Sequence, residues 1–157
     1  MIALLAACQA PSDQISFSLE NQEFVMMGPL FSGANMAQIE VAPEVQSFLE
    51  TKGYQTLTGA RLTAVSLHIA DTLTFDLCEE MSLQAVGDAT EMQQIAVLNP
   101  VPQGQTDVSL QPAAEAELLP YFQEGTFFLV LDANLAGDLA TDLAIGADLT
   151  FELSASK

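Results

Sequence analysis

The sequence predicts an all-β domain, a two-sheet antiparallel sandwich with one or two short helices. Three observations point there. Apolar and polar residues alternate with period two in one segment after another, the pattern of half-buried strands. About seven or eight such segments recur at spacings of roughly 8–12 residues or somewhat more, separated by Gly, Pro, Asn and Asp, as in sandwiches. The chain has 157 residues and no internal repeat, a length suited to one domain that buries about two-thirds of the surface its unfolded form exposes.

Gln9 to Gln14, with Pro11, Ser12 and Asp13, is polar and aperiodic, so it reads as a tether ahead of the fold. The domain is expected over 15–157. Ile15, Phe17 and Leu19 alternate with Ser16, Ser18 and Glu20, and a second apolar run from Phe24 to Met27 stops at Gly28-Pro29. Gly33 and Asn35 then mark turns, with a short strand expected at Gln38 to Val41. From Pro43 to Gly53 the signals change to those of a helix: Pro at the first position, Glu44 in the first turn, Lys52 in the last and Gly53 after it. Its apolar stripe is Val45, Phe48 and Leu49.

Beyond Gly59 the strand signal becomes dense. Thr63, Val65, Leu67 and Ile69 alternate with Leu62, Ala64, Ser66 and His68; Leu73, Phe75 and Leu77 follow, then Met81, Leu83 and Ala85 before Gly87-Asp88. Ile95 to Leu98 leads into Asn99-Pro100-Val101-Pro102, whose prolines cannot donate to a ladder and so run at an edge or leave the sheet. Val108 and Leu110 form a brief strand, and Ala113 to Leu119 a helical connector stopped by Pro120. Phe127, Leu129, Leu131 and Ala133 make one long strand; Leu143, Ile145, Ala147, Leu149, Phe151 and Leu153 make another. With Gly137-Asp138 between them, the two read as a hairpin.

The charge is one-sided: 21 Asp and Glu against 3 Lys and Arg, a formal net charge of −18. Nucleic acid is excluded as a partner, because affinity for phosphate backbones comes from basic side chains. An anionic bilayer repels the body too, so attachment to a membrane requires covalent lipid, and two acyl chains hold where one does not. No apolar run approaches the roughly 20 residues of a spanning helix.

The opening supplies such an attachment point. Leu5-Ala6-Ala7-Cys8 resembles the lipobox of bacterial lipoproteins, in which small residues precede a cysteine that is acylated and becomes the first residue of the mature chain. The resemblance implies that 1–7 is the remnant of a signal peptide, that 8–14 is a lipidated tether, that Cys8 carries the lipid, and that the protein sits in the bacterial envelope as an outer-membrane lipoprotein facing the periplasm or the outside. A secretory leader has an apolar run of about 7–15 residues behind a basic region, so the true start is expected upstream of Met1. Cys78, amid Phe75, Leu77 and Met81, then reads as a small buried hydrophobe, with a Cys8–Cys78 disulfide as the competing reading.

Phe75-Asp76-Leu77, Ile95-Ala96, Val101-Pro102-Gln103-Gly104, Leu119-Pro120-Tyr121 and the closing Asp148 to Leu153 together resemble a group of small, uncharacterised bacterial lipoproteins with an immunoglobulin-like sandwich. What the resemblance implies is an immunoglobulin-like Greek-key topology and an envelope location, with no activity to carry over.

Candidate chemistry is sparse. The one histidine, His68, has no Gly-x-Ser-x-Gly elbow to serve. Glu79 and Glu80, as adjacent strand residues, would point to opposite faces and fail to converge as a catalytic pair. Asp132, Asn134 and Gly137 begin like a calcium loop, but Ala136 and Leu143 stand where further ligands belong, which rejects an EF-hand. A looser calcium site of Asp132, Asn134, Asp138 and Asp142 in the hairpin turn remains as an alternative. The leading expectation is a non-enzymatic interaction or structural module that meets an envelope protein partner; a calcium- or small-ligand-binding domain is second.

Overall fold

The computed structural model describes residues 11–70 and 72–157. It is mostly β: eight antiparallel strands in one curled sheet, with two helices. The strands are β1 (Asp13–Met26), β2 (Gly33–Val41), β3 (Thr56–Ile69), β4 (Cys78–Val86), β5 (Gln93–Leu98), β6 (Asp107–Pro112), β7 (Phe127–Leu135) and β8 (Leu143–Ser156). Helix α1 (Val45–Thr51) lies between β2 and β3, and α2 (Leu119–Glu124) between β6 and β7.

The strand order is β1-β8-β3-β6-β5-β4-β7-β2. Its logic is nested: β1 pairs β8, β2 pairs β7, β3 pairs β6 and β4 pairs β5. The chain therefore runs out to the β4–β5 turn and comes back along itself. Between β5 and β6 the sheet is held by only two residue pairs, Ala96 with Pro112 and Val97 with Gln111. The hairpin expected at the C-terminus is absent: β7 lies between β4 and β2, and β8 between β1 and β3. Alternation predicted both strands, but alternation carries no information about partners.

β1 is one strand of 14 residues where two were expected. Its register against β8 slips between Leu19 and Gln22, with Asn21 at φ 56°. That bulge inserts one residue and reverses which parity faces inward. Leu19 accordingly sits opposite Leu149, and Phe24 opposite Ile145. A similar irregularity between Leu62 and Ala64 in β3 lets both Leu62 and Val65 be buried. The sheet also starts earlier than expected, since Asp13 and Gln14 of the predicted tether pair with Ala155 and Ser154.

The helices differ in their ends. Helix α1 starts later than expected: Glu44 is its N-cap, so Pro43 precedes the helix instead of opening it. Lys52 is its C-cap, followed by Gly53 at φ 81°, the left-handed value that suits glycine. Pro120 opens α2 instead of closing a helix before it, because proline's missing N–H costs nothing in the first turn. Phe75–Leu77, expected in a strand, is a single 3₁₀ turn with Phe75 fully buried.

Inside the curl lies one apolar core that includes Phe24, Leu67, Phe75, Met81, Leu131 and Phe151, and no polar or charged side chain among the described residues is buried. Cys78 belongs to this core and has no disulfide partner among the described residues; the alternative pairing with Cys8 lies outside them. Burial pushes its thiol up to about 11, as expected of a thiolate denied solvent.

Candidate interaction surface

The strand registers define two ends. At one, β1 begins opposite Ala155, β3 begins opposite Ser156, and both helices close the sheet. At the other, β1 ends opposite Leu143 and β2 begins opposite Leu135, so the connections 27–32 and 136–142 meet there.

The helix end is filled by aromatic rings. Phe122 of α2 stands 5.2 Å from Phe151, 5.5 Å from Phe127 and 6.3 Å from Phe17, and Phe17 meets Phe48 of α1 at 5.1 Å. Such pairs add roughly 0.5–1.5 kcal/mol each beyond the area they bury. Glu124, at the end of α2, accepts hydrogen bonds from the Thr90 hydroxyl and from the backbone N–H of Asp88 and Ala89. The Thr90 bond, helped by those amides against a smaller desolvation effect, holds the Glu124 carboxyl below its ordinary range. The Tyr121 hydroxyl donates to the Glu91 carbonyl, completing the latch between α2 and the β4–β5 turn.

At the loop end, acidic side chains stitch the connections together. The Gly28 N–H donates to Asp142 Oδ1 (2.7 Å) and the Ser32 N–H to Asp138 Oδ1 (2.8 Å). Between these straps Leu30 and Leu139 exchange both backbone bonds, at 2.7 and 2.9 Å. Asn35 Nδ2 donates to the carbonyls of Phe31 and Gly33. Gly28 is required here, since a Cβ would fall 2.5 Å from the Thr141 carbonyl. Leu30 is buried by this arrangement, and its neighbours are turned outward: Met27 is 73% exposed and Phe31 65%, with Met36 of β2 at 66% and Val25 also exposed. Four of the five large exposed hydrophobic residues among those described thus belong to the β1–β2 connection and its flanking strands; Met92 is the fifth.

The residues proposed for calcium make hydrogen bonds at separate places along the sheet and its loops. Asp138 and Asp142 are the two straps; Asp132 accepts from Gln84 Nε2 (2.7 Å), and Asn134 Nδ2 donates to Glu79 Oε2 (3.4 Å). Burial raises the Asp132 carboxyl above its ordinary range. Among the described residues no three His, Cys, Asp or Glu side chains gather as a metal site. Glu79 and Glu80 are both exposed, because the register slips between Cys78 and Glu80 and cancels the alternation expected of them. His68 is exposed and lies across Gly146, where a Cβ would collide with its ring. Cys8 lies outside the described residues.

Charge also differs between the ends. All three Lys and Arg, namely Lys52, Arg61 and Lys157, belong to α1, β3 and the tail of β8. Lys52 Nζ stands 5.8 Å from the Phe48 ring, and Arg61 pairs with Glu152 at 2.6 Å. None of them lies in the loops that hold Asp76, Asp138 and Asp142. An open cleft of about 520 Å³ lies at the helix end beside Val45, Leu57 and Phe122, with Glu44 as its one charged lining residue.

Sequence reasoning passed over Phe31 and Met36, which stand in a stretch read mainly as turns, and over Met27, which closes an apolar run. The available signal was Phe31 itself, an aromatic residue inside Gly28-Pro29-Leu30-Phe31-Ser32-Gly33, where turn chemistry calls for polar side chains.

No protein-family model and no curated protein matches the chain. Among solved structures, a chain of Desmodium yellow mottle tymovirus is similar at 12% identity over 98% of this chain and 94% of that one, with a TM-score of 0.35, a likeness too slight to carry an argument.

Proposed function

We propose that this chain is a non-enzymatic interaction module of the bacterial envelope, anchored in the outer membrane by lipid on Cys8 and meeting an envelope protein through its loop end. The observation that carries the reading is the pinned β1–β2 connection, which buries Leu30 yet holds Phe31 and Met27 in solvent. Exposing large apolar side chains costs solubility, and grouped examples mark contact sites in soluble proteins. A calcium-binding role receives less support, since Asp138 and Asp142 already hold backbone amides.

In this reading the curled sheet works as a two-layer sandwich, β1-β8-β3-β6 facing β5-β4-β7-β2, joined through the two pairs between β5 and β6. The nested order favours a jelly roll over the immunoglobulin-like form of Greek key, in which consecutive strands pair more often. Either form leaves a rigid body with loops at its ends.

Anchoring is tested in cells, with the gene expressed from its native start. Wild type should fractionate with the outer membrane and carry a diacylglyceryl mass on Cys8, and Cys8→Ala should release it to soluble extracts. A wild-type chain that is soluble and unacylated by intact mass overturns the anchor.

A further inference from the structure

We infer that the loop end docks a basic polypeptide segment that carries apolar side chains, with Phe31 as the anchor and Met27 of the same connection as a second contact. This rests on the interaction role proposed above and names the partner's chemistry. Two properties of the surface select that partner. Its apolar residues are one aromatic ring and mobile methionine chains, the pairing that seats an apolar side chain without demanding one shape. Its surroundings are acidic, with Asp76, Asp138 and Asp142 in the adjoining loops and every Lys and Arg elsewhere.

The same charge removes the competing occupants. A second copy brings another formal −18 and is repelled on approach, as are an anionic bilayer and nucleic acid. A cationic segment is instead steered inward, and electrostatic complementarity raises its encounter rate. The connection is already pinned by Asp138, Asp142 and the Leu30–Leu139 pair, so binding need not order it, which removes one of the usual costs of association. Asp138 and Asp142 thus serve docking indirectly, as positioning residues that hold Phe31 outward.

The test is a titration of the full 157-residue chain with two synthetic helical peptides of equal positive charge, one of lysine and leucine, the other of lysine and serine. The lysine–leucine peptide should bind about tenfold more tightly or better, and Phe31→Ser and Met27→Ser should each weaken it by about tenfold, as truncation of a hot-spot residue does. Met92→Ser, at the opposite end, should leave it unchanged. In wild type, backbone amide shifts on adding that peptide should centre on 27–35 and 136–142. Equal affinity for both peptides, unaltered binding by Phe31→Ser, or shifts centred elsewhere would overturn the inference, as would a dimer in sedimentation at physiological salt. None of these readings depends on the lipid, so failure here leaves the anchoring result standing and the reverse also holds.

Discussion

The two ends of the sheet solve the same problem, closing an open curl, by opposite means. At the helix end, closure is apolar: Phe17, Phe48, Phe122, Phe127 and Phe151 fill the mouth, and the helices cover it. At the loop end, closure is polar: aspartates tie backbone amides together, and large apolar side chains are left outside. The first end uses its hydrophobic residues to fold. The second has folded without Phe31 and Met27, which stay in solvent.

That contrast can be broken most sharply with one ring from each end. Phe122→Ala, at a residue only 7% exposed, should lower stability by about 3–5 kcal/mol. Phe31→Ser should change it by about 0.5 kcal/mol or less. Urea midpoints measure both, and equal losses would mean that Phe31 belongs to the core.

A smaller effect is expected from the straps. Asp142→Ala frees the Gly28 N–H to water at a cost of roughly 1–2 kcal/mol. Gly28→Ala should cost somewhat more, roughly 1–3 kcal/mol, because its Cβ meets the Thr141 backbone and the chain must move. In both variants amide hydrogen exchange should rise over 28–33 and stay unchanged in α2. Faster exchange in α2 would show that the ends are coupled.

The smallest separation comes from pH. Glu124 has a lowered pKa in the fold, so its contribution is fully present above the unfolded carboxyl's pKa and is lost as pH falls through the lower folded value. Asp132 is shifted upward by burial, so it opposes folding when ionised and ceases to do so as pH falls through its raised value. Acid should therefore weaken the helix-end latch while relieving β7. In urea midpoints followed from neutral to acid pH, Glu124→Gln should flatten the decline and Asp132→Asn should steepen it. Slopes identical to wild type would remove both assignments.

Much of the fold was legible because burial writes itself into alternation. The inward set of β8, from Leu143 through Phe151 to Leu153, is buried as read, as are Val45 and Leu49 of α1. Pairing was not legible. A strand's inward face says nothing about whether its partner is next in sequence or, as for Asp13 and Ala155, at the other end of the chain. Bulges hid more, since the extra residue near Asn21 breaks one strand's alternation into two apparent strands. At the candidate site the acids were legible and their task was not: Asp138 and Asp142 stood out as oxygen donors, but the amides they hold come from residues 106 and 114 positions away.

The position of Asp13 sets which end of the sheet the preceding segment joins. β1 begins at the helix end, and Cys8 precedes Asp13 by five residues, a span of at most about 18 Å. With lipid on Cys8, the helices and the three cations rest toward the bilayer. The 14 residues of β1 then carry Phe31 outward by up to about 45 Å at the usual rise of a strand. Screening at physiological salt acts over about 8 Å, so in that arrangement the loop end would stand several screening lengths beyond the lipid headgroups. In a chain anchored as proposed, the sheet would be a stalk as well as a core, its strand length setting how far from the membrane a partner could be met.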